Sequence, residues 1–294
     1  MPGRQPAIED ADATLYVVAT PIGNLADVTL RALEILRTVP LIAAEDTRIT
    51  RRLLVRHGIA TSLRSYHAKS GAAQLEAMLE HLRAGRDLAL VTDAGTPGVS
   101  DPGDDLVTAW ATEGGRVVPI PGPSAVLAAV VASGVAGPRW SFEGFLPRSG
   151  RERRDRLRRI AEDARGTVVF EAPTRLAVTL RDLATACGPG RRAAVCRELT
   201  KVHEQVVRGT LGELASHVTD GEIPARGEVV VVIAAADDDR SAGAVVPDPL
   251  ALSAGRAAVD ALVASGLGRR EAAQQIAGRT GLPRRDLYRS DPSA

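Results

Sequence analysis

The first half of the chain alternates short apolar segments with segments of helical periodicity, and this alternation strongly constrains the fold. Five runs have β-strand character: LYVVA (15–19), LIAAE (41–45), TSLRSY (61–66), DLALVT (87–92) and RVVPI (116–120). Helical repeats of apolar residues separate them, as in ADVTLRALEILR, TRITRRLLVRHG and SGAAQLEAMLEHLRAG. Strands that alternate with single helices imply crossover connections, so the pattern predicts a mostly parallel sheet.

A second series of strands follows and ends in a change of composition. It comprises SFEGFL (141–146), GTVVFEA (166–172), RAAVCREL (192–199), HEQVVRG (203–209) and GEVVVVIAAA (227–236), with helices expected near 151–164 and 173–186. The last strand is continuously apolar, as in a strand buried on both faces. The charged, Gly- and Pro-containing segment 237–249 then indicates a linker.

The fold class is therefore predicted to be α/β, with a small helical module at the C-terminus. We expect a flexible N-terminus (1–13), an N-terminal α/β domain (14–124), a C-terminal α/β domain (125–236), the linker (237–249) and the helical module (250–294). The module reads as three helical stretches, 250–264, 268–281 and 282–289.

Composition narrows the class of protein. Hydrophobic residues make up 45% and charged residues 25% of the 294 residues, as in globular proteins. No apolar run approaches the roughly 20 residues of a membrane-spanning helix, and a signal-peptide pattern is absent, so we expect a cytoplasmic protein without a membrane partner. The two cysteines, Cys187 and Cys196, have no metal-ligand spacing, so no metal site is expected.

Four loops rich in polar and turn-forming residues follow strands of the first series. They are TPIGN (20–24), AEDTR (44–48), VTDAGTPGVSDPG (91–103) and PGPSA (121–125). Since the carboxyl ends of parallel strands share one edge of a sheet, these loops are expected to converge on one ligand crevice. The third loop is acidic and has neither lysine nor arginine, which argues against a polyphosphate cradle and favours a neutral or cationic ligand.

Two charged clusters are candidates for catalysis and substrate contact. Glu45, Asp46 and Arg48 lie at the end of a predicted strand, where a carboxylate could accept a proton or hold a hydroxyl; a helix cap is the alternative. Arg197, Glu198 and Lys201 follow a later strand, and a surface salt bridge is the alternative there.

The segment 148–159 is the strongest concentration of charge. It holds seven arginines and two acidic residues, a net charge of +5. Helical spacing places Arg151, Arg154 and Arg158 together on a face distinct from the apolar one. Such a face predicts contact with a phosphate backbone, although a solvated helix face is the alternative. Aromatic residues are only 3% of the chain, which argues against an aromatic platform for base stacking.

These segments together resemble the ribosomal RNA small subunit methyltransferase I family, a branch of the tetrapyrrole methylase superfamily. The resemblance is carried by TPIGNLADVTLRAL, AAEDTR, LVTDAGTPGVSDPG, PIPGPSA, FEGFLP, RELTK and GEVVVVI, within residues 14–236. It implies two α/β domains with S-adenosyl-L-methionine in the cleft between them, and a homodimer. It also implies 2′-O-methylation of a ribose in the decoding centre of 16S rRNA, at cytidine 1402.

The resemblance and the residue patterns together give a set of expected site residues. The cofactor-binding residues are expected in the acidic loop and in PGPSA: Asp93, Ala94, Gly95, Thr96, Pro97, Gly122, Ser124 and Ala125. The candidate proton acceptors are Glu45, Asp46 and Glu198. The residues expected to contact RNA are basic: Arg48, Arg151, Arg154, Arg158, Arg197 and Lys201.

One segment departs from the family pattern. Where the family has a Tyr-Glu-Ser-Pro-His-Arg-like run, this chain has FEAPTR (170–175), so Phe170, Ala172 and Thr174 are given no catalytic role. Two other functions stay open. One is a small-molecule methyltransferase acting on a tetrapyrrole, and the other is a non-catalytic RNA-binding factor in ribosome assembly. For the C-terminal module, two roles are considered: RNA docking and dimer stabilisation.

Overall fold

The computed structural model describes residues 13–236, 249–280, 282 and 284–288. The chain divides into two compact units, one up to Ala236 and one from Asp237 onwards. The predicted flexible N-terminus (1–13) and the predicted linker (237–249) lie almost wholly outside the described residues. The described part of the chain contains no helix that is both long enough and apolar enough to cross a membrane.

The first sheet is fully parallel, as the sequence predicted. Its strands are β1 (Thr14–Val18), β2 (Leu41–Ala44), β3 (Ser62–Ser65), β4 (Leu88–Val91) and β5 (Arg116–Ile120), in the order β3-β2-β4-β1-β5. Its helices are α1 (Leu30–Thr38), α2 (Thr47–Arg56), α3 (Ala72–Arg83) and α4 (Asp104–Thr112), with a 3₁₀ turn at Leu25–Asp27. Helix α4 directly follows the acidic loop and was not predicted from the sequence.

Side-chain alternation along the strands builds a core on each face of this sheet. Ala89 and Val91 of β4 belong to the cluster that contains residues of α1 and α2. Leu88 and Leu90 belong to the opposite cluster, which contains residues of α3 and α4. Successive strand residues point to opposite faces, so one apolar strand serves both cores. Burial of all of β4 fixes the positions of the loops at its ends.

The second sheet is mixed. Its strands are β6 (Trp140–Phe145), β7 (Gly166–Glu171), β8 (Arg192–Arg197), β9 (Gln205–Thr210) and β10 (Val229–Ile233), in the order β6-β7-β10-β8-β9. Only the β6–β7 pair is parallel. The helices are α5 (Ala125–Ser133), α6 (Gly150–Glu162), α7 (Leu176–Cys187) and α8 (Leu211–Thr219), with a 3₁₀ turn at Pro173–Arg175.

The central strand β10 is buried along its whole length, as its continuous apolar sequence predicted. Val230 and Val232 pack in the cluster that includes α5, whereas Val229, Val231 and Ile233 pack in the cluster that includes α6, α7 and α8. Both sheets lie in the compact unit that ends at Ala236, and the division into domains at residues 124 and 125 stays a prediction.

The C-terminal unit has its own small core. It consists of α9 (Pro249–Ala264), α10 (Arg269–Thr280) and α11 (Arg284–Tyr288), which share buried residues such as Val259, Ile276 and Leu287. A Cβ at Gly255 would lie 2.6 Å from Leu287 Cδ2, so α9 approaches α11 closely only because this residue is glycine.

Candidate active site

The four loops predicted to converge do follow β1, β2, β4 and β5 at the carboxyl edge of the parallel sheet. Hydrogen bonds connect them. The N–H of Thr20 donates to the carbonyl of Gly95 at 2.8 Å, and the N–H of Gly95 donates back to Thr20 at 3.0 Å. The Thr96 hydroxyl donates to the carbonyl of Pro123 at 3.4 Å. The acidic loop is therefore held against the loops that follow β1 and β5.

A cavity of about 420 Å³ lies beside these loops. Five of the predicted cofactor-binding residues line it, namely Ala94, Gly95, Thr96, Ser124 and Ala125. The far wall comes from the second sheet and its loops, including Phe170, Ala172 and Val230. The cavity is thus enclosed by residues from both halves of the large unit.

The remaining predicted cofactor residues, Asp93, Pro97 and Gly122, do not line this cavity. A Cβ at Gly122 would lie 3.0 Å from the Cβ of Ala19, so this glycine lets the loop after β5 pack against the end of β1. Gly95 has a φ of +84°, a left-handed conformation that a β-branched residue adopts only with strain. The glycines therefore shape the loops around the cavity.

The cavity lining contains carboxylates and neither lysine nor arginine. Asp101, Glu171 and Glu228 contribute to it. Burial raises the pKa of Asp101 to about 6, and the nearby charge of Glu45 adds to the rise. The Glu171 carboxylate is buried, and it accepts hydrogen bonds from the Thr179 hydroxyl at 2.5 Å and from its neighbour's N–H at 2.8 Å. A ligand carrying positive charge suits such a lining.

The FEAPTR segment forms part of the cavity wall. Phe170 packs edge-on against Phe142 and Phe145, with ring centroids 4.9 and 5.6 Å apart. Thr174 is exposed, whereas Phe170 and Ala172 line the cavity. The departure from the family pattern therefore makes this wall more apolar.

Two of the candidate proton acceptors, Glu45 and Asp46, lie beside Asp93. The N–H of Asp93 donates to Glu45 Oε2 at 3.3 Å, and the N–H of Asp46 donates to Asp93 Oδ1 at 2.9 Å. Burial raises the pKa of Glu45. Hydrogen bonds from Arg48 lower the pKa of Asp46 to about 2, so Asp46 is the weaker base of the two.

The third candidate, Glu198, lies in a different cluster. It accepts hydrogen bonds from Lys201 Nζ and from the N–H of Glu228, both at 2.9 Å. Both hydrogen bonds lower the pKa of Glu198, and the bond from Lys201 has the larger effect. Burial lowers the pKa of Lys201, but Glu198 and Glu228 outweigh it, and the net shift is upward. Lys201 is therefore a stable cation rather than a base.

Glu198 and Lys201 line a groove of about 980 Å³ with the loop after β1. The N–H of Asn24 donates to Thr200 Oγ1 at 3.1 Å, which joins the TPIGN and RELTK segments. Glu198 and Thr200 have φ values of +51° and +65°, in the left-handed region that non-glycine residues avoid. Strained residues of this kind concentrate at functional sites.

The predicted RNA-contacting residues fall in different surroundings. Arg48 is 86% exposed and paired with Asp46. The helical face of Arg151, Arg154 and Arg158 is exposed on α6. Arg197 is 4% exposed and donates to the carbonyl of His203 at 2.9 Å, so it adds no charge to a surface.

The C-terminal module carries further arginines, and only some of them lie within the described residues. Arg269 pairs with Asp260, and Arg270 and Arg284 are exposed. Arg289 and the side chain of Arg285 lie outside the described residues.

Sequence reasoning missed several features of the site. It did not single out Asp101 or Glu171, because a carboxylate in a loop or at a strand end carries no signal of burial. It did not assign a role to Gly23, whose Cβ would lie 2.4 Å from Lys201 Cγ. Within the described part of the chain, no group of three or more His, Cys, Asp or Glu side chains is arranged to hold a metal ion.

Solved structures that share this fold include methyltransferases and a diphthine synthase. A cobalt precorrin-4 methyltransferase matches with a TM-score of 0.56 at 17% identity, over 75% of this chain and 94% of that one. A diphthine synthase matches with a TM-score of 0.57 at 16% identity, over 76% of this chain and 90% of that one. A third match is the uroporphyrin-III C-methyl transferase from Thermus thermophilus, complexed with S-adenyl homocysteine. Its TM-score is 0.55 at 20% identity, over 76% of this chain and 98% of that one. At these identities the similarity shows the fold.

Sequence comparisons show the family. The model of the tetrapyrrole (corrin/porphyrin) methylases matches residues 14–215. A protein named ribosomal RNA small subunit methyltransferase I from Synechocystis is 46% identical, over 93% of this chain and 95% of its own length. Its namesake from Halalkalibacterium halodurans is 40% identical, over 95% and 94%. The chain therefore belongs to the ribosomal RNA small subunit methyltransferase I family, within the tetrapyrrole methylases.

Proposed function

We propose that the chain transfers a methyl group from S-adenosyl-L-methionine to the ribose 2′-oxygen of a cytidine in 16S rRNA, the decoding-centre cytidine 1402. The single observation that carries the proposal is the acidic, lysine- and arginine-free cavity at the edge of the parallel sheet. The relatives at 40–46% identity, all named for methylation of small subunit rRNA, support the choice of substrate.

The cavity residues fit this cofactor. Gly95 and its neighbours offer backbone and small side chains at short range, which an adenosine and an amino-acid group require. The carboxylate of Asp101 provides negative potential, and no lysine or arginine lines the cavity, whereas Glu171 is paired with Arg175 at 3.5 Å. When bound, S-adenosylmethionine would supply a methyl carbon activated by its cationic sulfur, so that the ribose oxygen can bond to that carbon in line while the carbon–sulfur bond breaks and neutral S-adenosylhomocysteine leaves.

The residues of the chain contribute mainly by holding and orienting the reactants. Ala94, Gly95, Thr96, Ser124 and Ala125 would hold the cofactor through the loops that follow β4 and β5. Hydrogen bonds between Thr20 and Gly95 fix the position of the first of these loops. Such fixed geometry supports a displacement that requires close alignment.

A proton must leave the ribose hydroxyl, and a carboxylate can accept it. Among the three candidates, Glu45 is favoured because burial raises its pKa, which makes it a better base than Asp46 or Glu198. Lys201 remains cationic and suits contact with a phosphate of the substrate. Arg48, exposed at the first turn of α2, can extend the same contact.

The proposal includes the setting of the reaction. An rRNA substrate places the enzyme in the cytoplasm, where small subunits assemble, and the resemblance implies a homodimer. Sedimentation of the purified protein tests the dimer.

The proposed activity is tested with labelled S-adenosylmethionine and three acceptors: an in vitro transcript of 16S rRNA, assembled small subunits that carry unmethylated rRNA, and a tetrapyrrole. Mapping the product by resistance to alkaline hydrolysis identifies a 2′-O-methylated nucleotide. A label on the ribose of cytidine 1402 is expected. Label on a base, or only on the tetrapyrrole, would contradict the proposal, and cofactor binding without transfer to any acceptor would favour an assembly factor.

A further inference from the structure

Helix α2 carries positive charge that its surroundings do not neutralise. Its sequence TRITRRLLVR contains four arginines and no acidic residue. Thr50, Leu53 and Leu54 are buried against the first sheet, so the arginines lie on the remaining, solvent-facing surface. Of the four arginines of α2, Arg48 alone has an ion-pair partner among the described residues, and that partner is Asp46.

Helix α6 has more arginines but much less free charge. Arg151 and Arg158 both pair with Asp155, at 3.5 and 3.0 Å. Arg153 is buried and pairs with Asp182 at 2.7 Å. Arg156 pairs with Glu152 and Glu143, at 3.4 and 3.8 Å. The helix that looks most basic in the sequence is therefore largely neutralised within its own fold.

In contrast, Arg51, Arg52 and Arg56 are exposed, and no acidic side chain of the described chain pairs with them. Arg37, at the end of α1, reaches the end of α2 and donates to the carbonyl of His57 at 3.2 Å. It adds a further positive charge to the same surface. We name the surface formed by Arg37, Arg51, Arg52 and Arg56 the α2 basic face.

The α2 basic face opens into a groove of about 610 Å³ that is continuous with the groove beside Glu198 and Lys201. Leu25 and Arg56 line both this groove and the one that contains Glu198 and Lys201. Leu25 and Val55 are 41% and 72% exposed between the guanidinium groups. Apolar patches between arginines suit RNA, since ribose and base faces pack on apolar side chains and guanidinium planes stack on bases.

The start of α2 is fixed at the candidate catalytic cluster. The N–H of Asp46, which caps the helix, donates to Asp93 Oδ1 in the acidic loop at 2.9 Å. A strand lying along α2 would therefore be guided from Arg56 toward Arg48 and the carboxylates at the sheet edge.

We propose that the α2 basic face binds the phosphate backbone of the RNA strand that enters the active site. The inference rests on the proposed function for the identity of the RNA. A second copy of the chain is a poorer occupant, because a twofold axis through this face would place these arginines against their own counterparts.

The test compares two triple variants of the full-length chain. Arg51→Gln, Arg52→Gln and Arg56→Gln remove the free charges of α2, and Arg151→Gln, Arg154→Gln and Arg158→Gln form the matched set on α6. Fluorescence anisotropy with an in vitro transcript of the 16S decoding region gives the Kd over a range of salt concentrations. Loss of three phosphate contacts flattens the slope of log K against log salt by about 2 to 3.

The α6 set is expected to flatten the slope by about 1 or less, because only Arg154 of the three lacks an ion pair among the described residues. Cofactor affinity by calorimetry and thermal melting should match wild type in both sets. An unchanged salt slope in the α2 variant would overturn the proposal, and conversion to a monomer with an unchanged slope would assign the face to dimerisation. Methyl transfer by the wild-type chain, measured separately, tests the proposed function itself.

Discussion

Asp93 accepts a hydrogen bond from the backbone N–H of Asp46 at 2.9 Å, with its Oδ1 atom. This single contact joins the acidic loop after β4 to the N-terminus of α2. It brings a residue of the predicted cofactor loop, Asp93, into direct contact with a predicted proton acceptor, Asp46. The cofactor loop and the basic helix are consequently coupled, and a change at Asp93 should affect both.

Replacement of Asp93 separates its charge from its hydrogen bond. Asp93→Ala leaves the N–H of Asp46 without an acceptor, at a cost of about 1 to 3 kcal/mol in stability. It should also weaken S-adenosylmethionine binding about tenfold or more. Asp93→Asn keeps an oxygen acceptor, so it should retain most of the stability. Calorimetry and thermal melting check both, and native cofactor affinity in the alanine variant would show that Asp93 does not position the cofactor loop.

Asp101 should make both stability and cofactor binding depend on pH. Its pKa is about 6 in the folded protein and near 3.8 in the unfolded chain, so the folded state binds more protons between these values. Stability from this group therefore falls as pH rises from about 4 to 6, and Asp101→Asn should stabilise the apo protein by about 1 to 3 kcal/mol at pH 7.

The same carboxylate should favour a cationic ligand once it is ionised. Affinity for S-adenosylmethionine is expected to increase as pH rises through 6 in the wild-type chain, and this dependence should be lost in Asp101→Asn. Calorimetry at pH 5 to 8 with denaturant melts at the same pH values checks both effects. Parallel pH profiles in wild type and variant would remove Asp101 from the cofactor site.

The sequence was sufficient to predict the parallel sheet and its ligand edge. Each strand of the first sheet is a local apolar run bounded by turn residues, and parallel pairing puts the following loops together whatever the details of packing. For the same reason Gly95, Thr96 and Ser124 could be assigned to one crevice. Helix α4 was missed because the acidic loop that precedes it dominates the local pattern.

Other features depend on contacts between distant segments. The burial that raises the pKa of Asp101, and the ion pairs that neutralise α6, require partners such as Glu45 and Asp182 that no local pattern identifies. Arg197 has the composition of a surface residue and is buried. The number of charged residues in a helix sequence therefore did not predict how much of that charge stays unpaired in the folded protein.

Gly23 should be essential for the position of Lys201. An added Cβ would lie 2.4 Å from Lys201 Cγ, 2.8 Å from Thr200 Oγ1 and 3.0 Å from the carbonyl oxygen of Leu199. Gly23→Ala must shift the RELTK segment, and we expect kcat/KM for RNA to fall tenfold or more with cofactor affinity unchanged. Gly190→Ala, where a Cβ meets nothing within 4 Å, is the matched control. Equal activity of the two variants would show that this contact is dispensable.

Glu198 and Glu228 both contact Lys201 but differ in exposure, which makes them a useful pair. The side chain of Glu198 is 18% exposed, and that of Glu228 is 69% exposed. Because Glu45 is the favoured proton acceptor, Glu198→Gln and Glu228→Gln should each change kcat little, and a fall of about tenfold or more in Glu198→Gln alone would make Glu198 the acceptor. Single-turnover methylation rates decide between them. A wild-type rate in Glu198→Gln would leave Glu45 as the favoured proton acceptor.

The C-terminal unit should contribute to RNA docking and not to cofactor binding. Its helices share their own core, and the chain divides at Asp237, so a chain that ends at Asp239 is expected to fold, remain dimeric and bind S-adenosylmethionine normally. Exposed Arg270 and Arg284 are lost with it, so the KM for RNA should rise while kcat is kept. Steady-state kinetics and sedimentation check this. Wild-type activity at low RNA concentration would exclude a docking role, and a monomeric product would assign the unit to dimer stabilisation.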